Sequence, residues 1–200
     1  MEKSNSDNKN NLYPIFLKLE ELELLLVGAG NVGLEKLVSL LSNSPKAKIT
    51  VVAPVVKEEV RQLLHDHPSC TIVQRSFEES DLENKDLIIL ATDDKELQRH
   101  IKSLADRKGL LVNVADTPEL CDFYLGSIVQ KGNLKIAIST NGKSPTIAKR
   151  IKEVLNETIP GEIDNLLSNM QNIRNKMSVD FAEKVKRLNE LTKTLTEKAD

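Results

Sequence analysis

The sequence predicts an α/β fold: a parallel sheet covered by helices, then a small β-hairpin module, then a helical C-terminal module. Two observations carry this expectation. Over residues 23–114, aliphatic runs of strand length alternate with helix-period segments. After Asp116 the alternation stops, and two short apolar runs flank a Lys131-Gly132-Asn133 turn. Strand–helix alternation argues for a parallel sheet with right-handed crossovers. A tight turn between two strand-like runs argues for a hairpin.

The elements follow in order. Residues 1–11 are polar and are expected to be mobile. Residues 12–19, LYPIFLKL, read as a short strand, and 23–27, ELLLV, as a buried strand running into glycines. Val32, Leu37, Val38, Leu40 and Leu41 then recur at helical spacing until Asn43, Ser44 and Pro45. Residues 48–53, KITVVA, form a β-branched strand that Pro54 is expected to end, with a helix over 55–65. Residues 71–74 and 87–91 read as further strands. Asp93 and Asp94 are candidate caps of a helix reaching Arg107, and Gly109 breaks the chain before a strand at 110–114. Residues 123–129 and 134–139 make the hairpin. From Pro145 the pattern is helical. After Pro160 and Gly161 the stripes Ile163, Leu166, Met170, Ile173, Met177 and Phe181, Val185, Leu188 read as faces packed on another helix.

Composition narrows the class. Hydrophobic residues make up 40% of the chain, enough for a packed core, while aromatics are only 3% with no Trp, so aliphatic side chains must fill it. A net charge of −2 gives no global field that would draw nucleic acid or an anionic membrane. Cys70 and Cys121 lie far apart, outside any C-x-x-C spacing. A disulfide framework is not expected, and a reducing compartment is. The N-terminus has no apolar run of the secretory type. No segment reaches the ~18 apolar residues of a membrane span. The expectation is a cytoplasmic protein.

Three segments carry chemistry. Gly28-Ala29-Gly30-Asn31-Val32-Gly33 has G-x-G-x-x-G spacing between a strand and a helix. The first glycine permits the turn, the second lets a pyrophosphate reach the backbone, and the third lets helix and strand pack closely. The helix N-terminus favours the anion. With Ala53, Pro54, Thr92 and Asn113, these residues mark the strand C-terminal edge where a dinucleotide binds. No acid ends the second strand to hold the ribose and no Arg stands there for a 2′-phosphate, so the motif does not separate NAD from NADP.

The second segment is 113–123, NVADTPELCDF. Asp116 follows a strand end, where an acid can move a proton beside a hydride transfer; Asp122 follows soon after. The alternative is a turn-forming Asp beside Pro118. The third is 139–150, STNGKSPTIAKR. Ser144 before Pro145 reads as a helix N-cap. With Lys143 and Lys149 nearby, the helix start is a candidate carboxylate site, the alternative being ordinary capping. His65, His67 and His100 form no convincing ligand set, and Asp93-Asp94 reads as a cap rather than a metal site.

The ordered segments YPIFLKL, VGAGNVGLEK, ITVVAP, LATDD, NVADTPELCDF, GSIVQKGNLKIAISTNGKSP and IAKRI resemble the precorrin-2 dehydrogenase family. That family includes bifunctional dehydrogenase/ferrochelatases and the front half of siroheme synthase. The resemblance covers residues 12–155. It implies a Rossmann-like NAD-binding domain at 1–114, a dimerisation module at 115–145 and a helical module at 146–200. It also implies a homodimer, NAD as cofactor, precorrin-2 as substrate and Fe2+ as a second substrate where a chelatase is present. Asp116 then takes the family's acid role. Gly28, Gly30 and Gly33 take the cofactor loop, and Ser144 lies by the tetrapyrrole. The family often has Pro where this chain has Gly126. At 200 residues no room is left for the methyltransferase domain, so another protein is expected to methylate. A rival of another class is a non-catalytic NAD-sensing domain acting through its C-terminal helices; it needs the glycine loop but not Asp116 or Ser144.

Overall fold

The structure, a computed structural model, describes residues 10–193. The expected mobile stretch, up to residue 9, and the end of the helical module, 194–200, lie outside the described residues. The chain divides into two compact units: one reaches Gly126 and takes in Asn141–Lys143, and the other holds Ser127–Thr140 and the chain from Ser144.

In the first unit β1 (Glu23–Ala29), α1 (Asn31–Asn43), β2 (Lys48–Val56), α2 (Glu58–His65), β3 (Cys70–Val73), β4 (Leu87–Leu90), α3 (Lys95–Lys108) and β5 (Leu111–Val114) follow in turn. The five strands are parallel, in the order β3-β2-β1-β4-β5. Leu24, Leu25 and Leu26 are all buried, as a central strand covered on both faces requires. Leu24 and Leu26 pack with Leu37 and Leu41 of α1 and Val60 of α2. Leu25 and Val27 pack with Ile101 and Leu104 of α3. Each such burial stabilises by about 1.5–3 kcal/mol relative to exposure. Helix α3 starts at Asp94, whose Oδ1 accepts from the N–H groups of Glu96 and Leu97 at 3.0 and 2.9 Å. It ends at Gly109 with φ +69°.

Several expectations are corrected. Residues 12–19 form no strand. Tyr13 and Phe16 stand exposed; at the end of the run Leu19 packs against the core, and its carbonyl accepts from the Lys48 N–H at 3.3 Å. An apolar pattern without a neighbouring ladder does not make a strand. Pro54 does not end β2: the strand continues to Val56, which pairs with Ala29 after a register shift. A bulge is where a ladder tolerates a residue lacking an N–H. Val38 is exposed rather than packed. Helix α2 begins at Glu58, not at residue 55, because 55 and 56 stay in β2.

A buried-edge ion pair fixes the connection from β3 to β4. Arg75 donates from Nη1 and Nη2 to both carboxylate oxygens of Asp81 at 2.8 and 2.6 Å. This hydrogen-bonded guanidinium holds the Asp81 carboxyl below the ordinary carboxylate range. A depressed folded value means that the unfolded chain takes up the proton first. The stabilisation is therefore complete above the unfolded value of about 4 and is lost as pH falls through the folded value. Asp81→Asn should cost about 1 kcal/mol at neutral pH, since Arg75 is partly in water. It should also flatten the acid limb of the stability profile, measured by urea unfolding from neutral pH downward.

In the second unit β6 (Ser127–Lys131) and β7 (Leu134–Ile138) form an antiparallel hairpin. β6 starts at Ser127 rather than at 123, since Phe123 packs against the core of the first unit. Gly132 turns with φ +55°. Its Cβ position is already filled by Asp164, whose Oδ1 accepts from the Asn133 N–H at 2.7 Å. Helices α4 (Pro145–Thr158), α5 (Ile163–Lys176) and α6 (Phe181–Thr192) follow. No α5 or α6 residue is fully buried, and Phe181 and Leu191 remain exposed. Among the described residues, no helix is long and apolar enough to cross a membrane.

Candidate functional site

The strand order reverses direction between β1 and β4, and an open α/β sheet offers its ligand crevice at such a point. The glycine loop sits there. Gly28 has φ +104°, and a Cβ on it would overlap the Ala91 carbonyl beyond β4. Gly33 packs so closely that a Cβ would overlap the Gly28 carbonyl. At Gly30 a Cβ would meet nothing within 4 Å. The three glycines thus have distinct duties: two are packed against backbone, and the middle one borders open space. Gly30 caps α1 with no side-chain hydrogen bond, and the first turn holds no acid. Its unclaimed N–H groups suit an anion such as a pyrophosphate. The residues present therefore fit a dinucleotide.

The other rim residues come from neighbouring strand ends. Ala53 is buried and Pro54 exposed on β2. Thr92 follows β4, with its carbonyl accepting from Gln98 Nε2 at 2.6 Å. Asn113 on β5 is 6% exposed, and its Nδ2 donates to the Phe123 carbonyl at 2.8 Å. Its side chain holds the returning chain. Lys57, which the sequence reading passed over, donates from Nζ to Asn31 Oδ1 at 2.7 Å and so places a cation on the glycine loop.

Asp116 lies just past β5, exposed, with φ +56°. This left-handed conformation is rare for a non-glycine residue and tolerated by Asp and Asn. Its neighbours are fixed: Ala115 N–H donates to the Leu90 carbonyl at 2.9 Å, and Thr117 is buried. Asp122 is different. Its carboxylate accepts from Lys102 Nζ at 2.8 Å and from the Val112 N–H at 2.9 Å. Burial opposes the charge on Lys102, but its bonds to Asp106 and Asp122 outweigh that and raise its pKa. Asp122 is a clamp on the edge of β5, whereas the Asp116 side chain is exposed. Cys121 completes this edge. Its Sγ accepts from the Val114 N–H at 3.2 Å, and burial pushes its thiol up, so it stays protonated.

In the third segment, Ser144 caps α4, with Oγ accepting from the Ile147 N–H at 3.2 Å. Thr140 Oγ1 braces the same turn through the Ser144 carbonyl at 3.1 Å. Asn141 and Gly142 between them have positive φ. Lys143 and Lys149 are exposed; Lys143 groups with the first unit, and Ser144 and Lys149 with the second. Arg150 is paired with Glu153 at 2.6 Å.

Sequence reasoning also passed over Gln98 and Thr117, which are buried polar residues. A signal existed for Gln98. It precedes Ile101 and Ala105 by three and seven residues, placing a polar side chain on the core face of α3.

Comparison with known proteins agrees with this geometry. Residues 15–127, more than half of the chain, match the family model described as "Putative NAD(P)-binding". Residues 131–157 match that of "Sirohaem biosynthesis protein central". The chain is 38% identical over 182 residues to the siroheme synthase of Pseudoalteromonas atlantica, covering 90% of this chain and 37% of that protein. It is 40% identical over 150 residues to that of Psychrobacter cryohalolentis, covering 75% and 28%. The chain thus spans about a third of the length of the curated relatives it matches. Among solved structures it is similar to SirC, a precorrin-2 dehydrogenase, with TM-score 0.72 and 27% identity over 90% of this chain and 89% of that one. The chain belongs to the family described as putative NAD(P)-binding, followed by a segment that matches the sirohaem biosynthesis central protein.

Proposed function

We propose that this chain oxidises precorrin-2 to sirohydrochlorin with NAD as hydride acceptor. The observation that carries the reading is the likeness to a precorrin-2 dehydrogenase over 90% of the chain, in a fold whose glycine loop and Asp116 lie at strand ends of one sheet. The dehydrogenation removes two hydrogens from the macrocycle: one leaves as hydride to NAD, the other as a proton. In this reading Gly28, Ala29, Gly30, Asn31, Val32 and Gly33 hold the pyrophosphate through backbone N–H groups. Ala53, Pro54, Thr92 and Asn113 form the rest of the cofactor rim. Asp116 takes the proton as a carboxylate. Lys143, Ser144 and Lys149 bind carboxylates of the substrate.

Incubated anaerobically with precorrin-2 and NAD, the purified chain should form NADH. A folded chain that binds NAD and forms none would favour the regulatory reading instead. The same proposal includes insertion of Fe2+ into sirohydrochlorin, which anaerobic incubation of the product with ferrous iron tests. A cytoplasmic location belongs to it as well.

The proposal also makes the chain a homodimer, with residues 115–145 as the dimerisation module between domains at 1–114 and 146–200. What supports a dimer is exposed apolar surface in the helical domain at 146–200, beyond that module. On α4, Ile147, Ile151 and Val154 are exposed at helical spacing. Light scattering should give about twice the chain mass of 22.3 kDa. A fully active monomer at micromolar concentration contradicts this part.

A further inference from the structure

We infer that Thr117 and Gln98 are positioning residues for Asp116, forming a buried polar strut between the turn after β5 and the loop after β4. The inference rests on Asp116 acting as the proton acceptor. Lys95 Nζ donates to Thr117 Oγ1 at 2.6 Å, Thr117 Oγ1 donates to Gln98 Oε1 at 3.0 Å, and Gln98 Nε2 donates to the Thr92 carbonyl at 2.6 Å. Gln98 is 1% exposed and Thr117 6% exposed. Gln98 shares the buried face of α3 with Ile101 and Leu104, which belong with Val112 and Val114 of β5 to one aliphatic core. An amide and a hydroxyl in such surroundings are unfavourable unless every group is bonded. Here the bonds run from one end of the strut to the other.

The two ends matter. The Thr92 end adjoins Ala91, whose carbonyl is the wall against which Gly28 turns. The Thr117 end adjoins Asp116, whose carboxylate makes no hydrogen bond among the described residues. Asp116 stands in the left-handed region, so its direction depends on the residues that flank it. Ala115 is tied to β4, and Thr117 is tied to α3. The strut therefore holds the acid at a fixed place relative to the loop that binds the cofactor. Misplacing a reacting group by about 1 Å can cost as much as a hundredfold in rate.

The experiment compares Thr117→Val, Thr117→Ser, Lys95→Met and Asp116→Asn by steady-state turnover of precorrin-2, by calorimetric NAD affinity and by melting temperature. For Thr117→Val we expect kcat to fall about tenfold while NAD affinity stays within about twofold, with Thr117→Ser restoring kcat. Lys95 is on the surface, so Lys95→Met keeps the fold if Thr117→Val does not; it should lower kcat about threefold. Because both residues act through one acid, Thr117→Val added to Asp116→Asn should lower kcat no further. A purely structural strut lowers the melting temperature and leaves kcat of the folded protein at the wild-type value, and that result would overturn the inference. If Asp116→Asn loses turnover while Thr117→Val and Lys95→Met keep it, the strut fails and the role of Asp116 stands. If Asp116→Asn itself turns over normally, the role of Asp116 fails and the strut with it.

Discussion

Asp116→Asn should lower precorrin-2 turnover by about a hundredfold or more, the usual scale for an acid–base group, and should leave NAD affinity nearly unchanged. The variant is clean because Asn adopts the same left-handed backbone that Asp116 occupies at φ +56°. It keeps shape and polarity but removes the carboxylate. Asp116→Ala adds backbone strain, so its lower melting temperature must be separated from its lower turnover. If Asp116 were only a turn residue, Asn would preserve turnover and Ala would chiefly reduce stability. Steady-state kinetics on both folded variants distinguishes the two.

The second large effect is a contrast within the glycine loop. A side chain at residue 30 projects into open space, since a Cβ there meets nothing within 4 Å. Gly30→Asp should therefore fold like the wild type. Its carboxylate would face the cofactor pyrophosphate, and like charges repel, so NAD binding should be lost at any accessible concentration. Gly33→Ala is the converse. Its methyl group would overlap the Gly28 carbonyl, so β1 and α1 must separate. Overpacking of this kind costs about 1–3 kcal/mol, and the melting temperature should fall by several degrees. Calorimetric titration with NAD beside thermal unfolding of both variants checks the contrast. Tight NAD binding by folded Gly30→Asp would remove the pyrophosphate from this loop.

The layers of the fold were legible because buried parallel strands are written as aliphatic runs. Leu24, Leu25 and Leu26, or Ile88 and Ile89, admit no other placement. Caps were legible because they are local: Asp94 and Ser144 each bond an N–H within three residues. What depended on distant partners was not. The run at 12–19 has a strand's pattern but no ladder beside it. β2 passes through Pro54 because its ladder with β1 shifts register there, from Val27↔Val52 to Ala29↔Val56, and that pairing depends on the other strand. Asp116 and Asp122 look alike in sequence, as acids soon after a strand. Lys102, twenty residues before Asp122 on α3, makes one a structural clamp and leaves the other open. The strut from Thr92 through Gln98 to Thr117 is likewise a product of packing, and only the polar intruder on the core face of α3 hinted at it.

The most direct test of the central claim is a single turnover under anaerobic conditions, with the chain in excess over precorrin-2 and NAD present. NADH and sirohydrochlorin should appear together, at one rate and in equal amounts, and Gly30→Asp should abolish both. Sirohydrochlorin formed at the same rate without NAD, or by Gly30→Asp as fast as by the wild type, would contradict hydride transfer to a dinucleotide held on the Gly28–Gly33 loop.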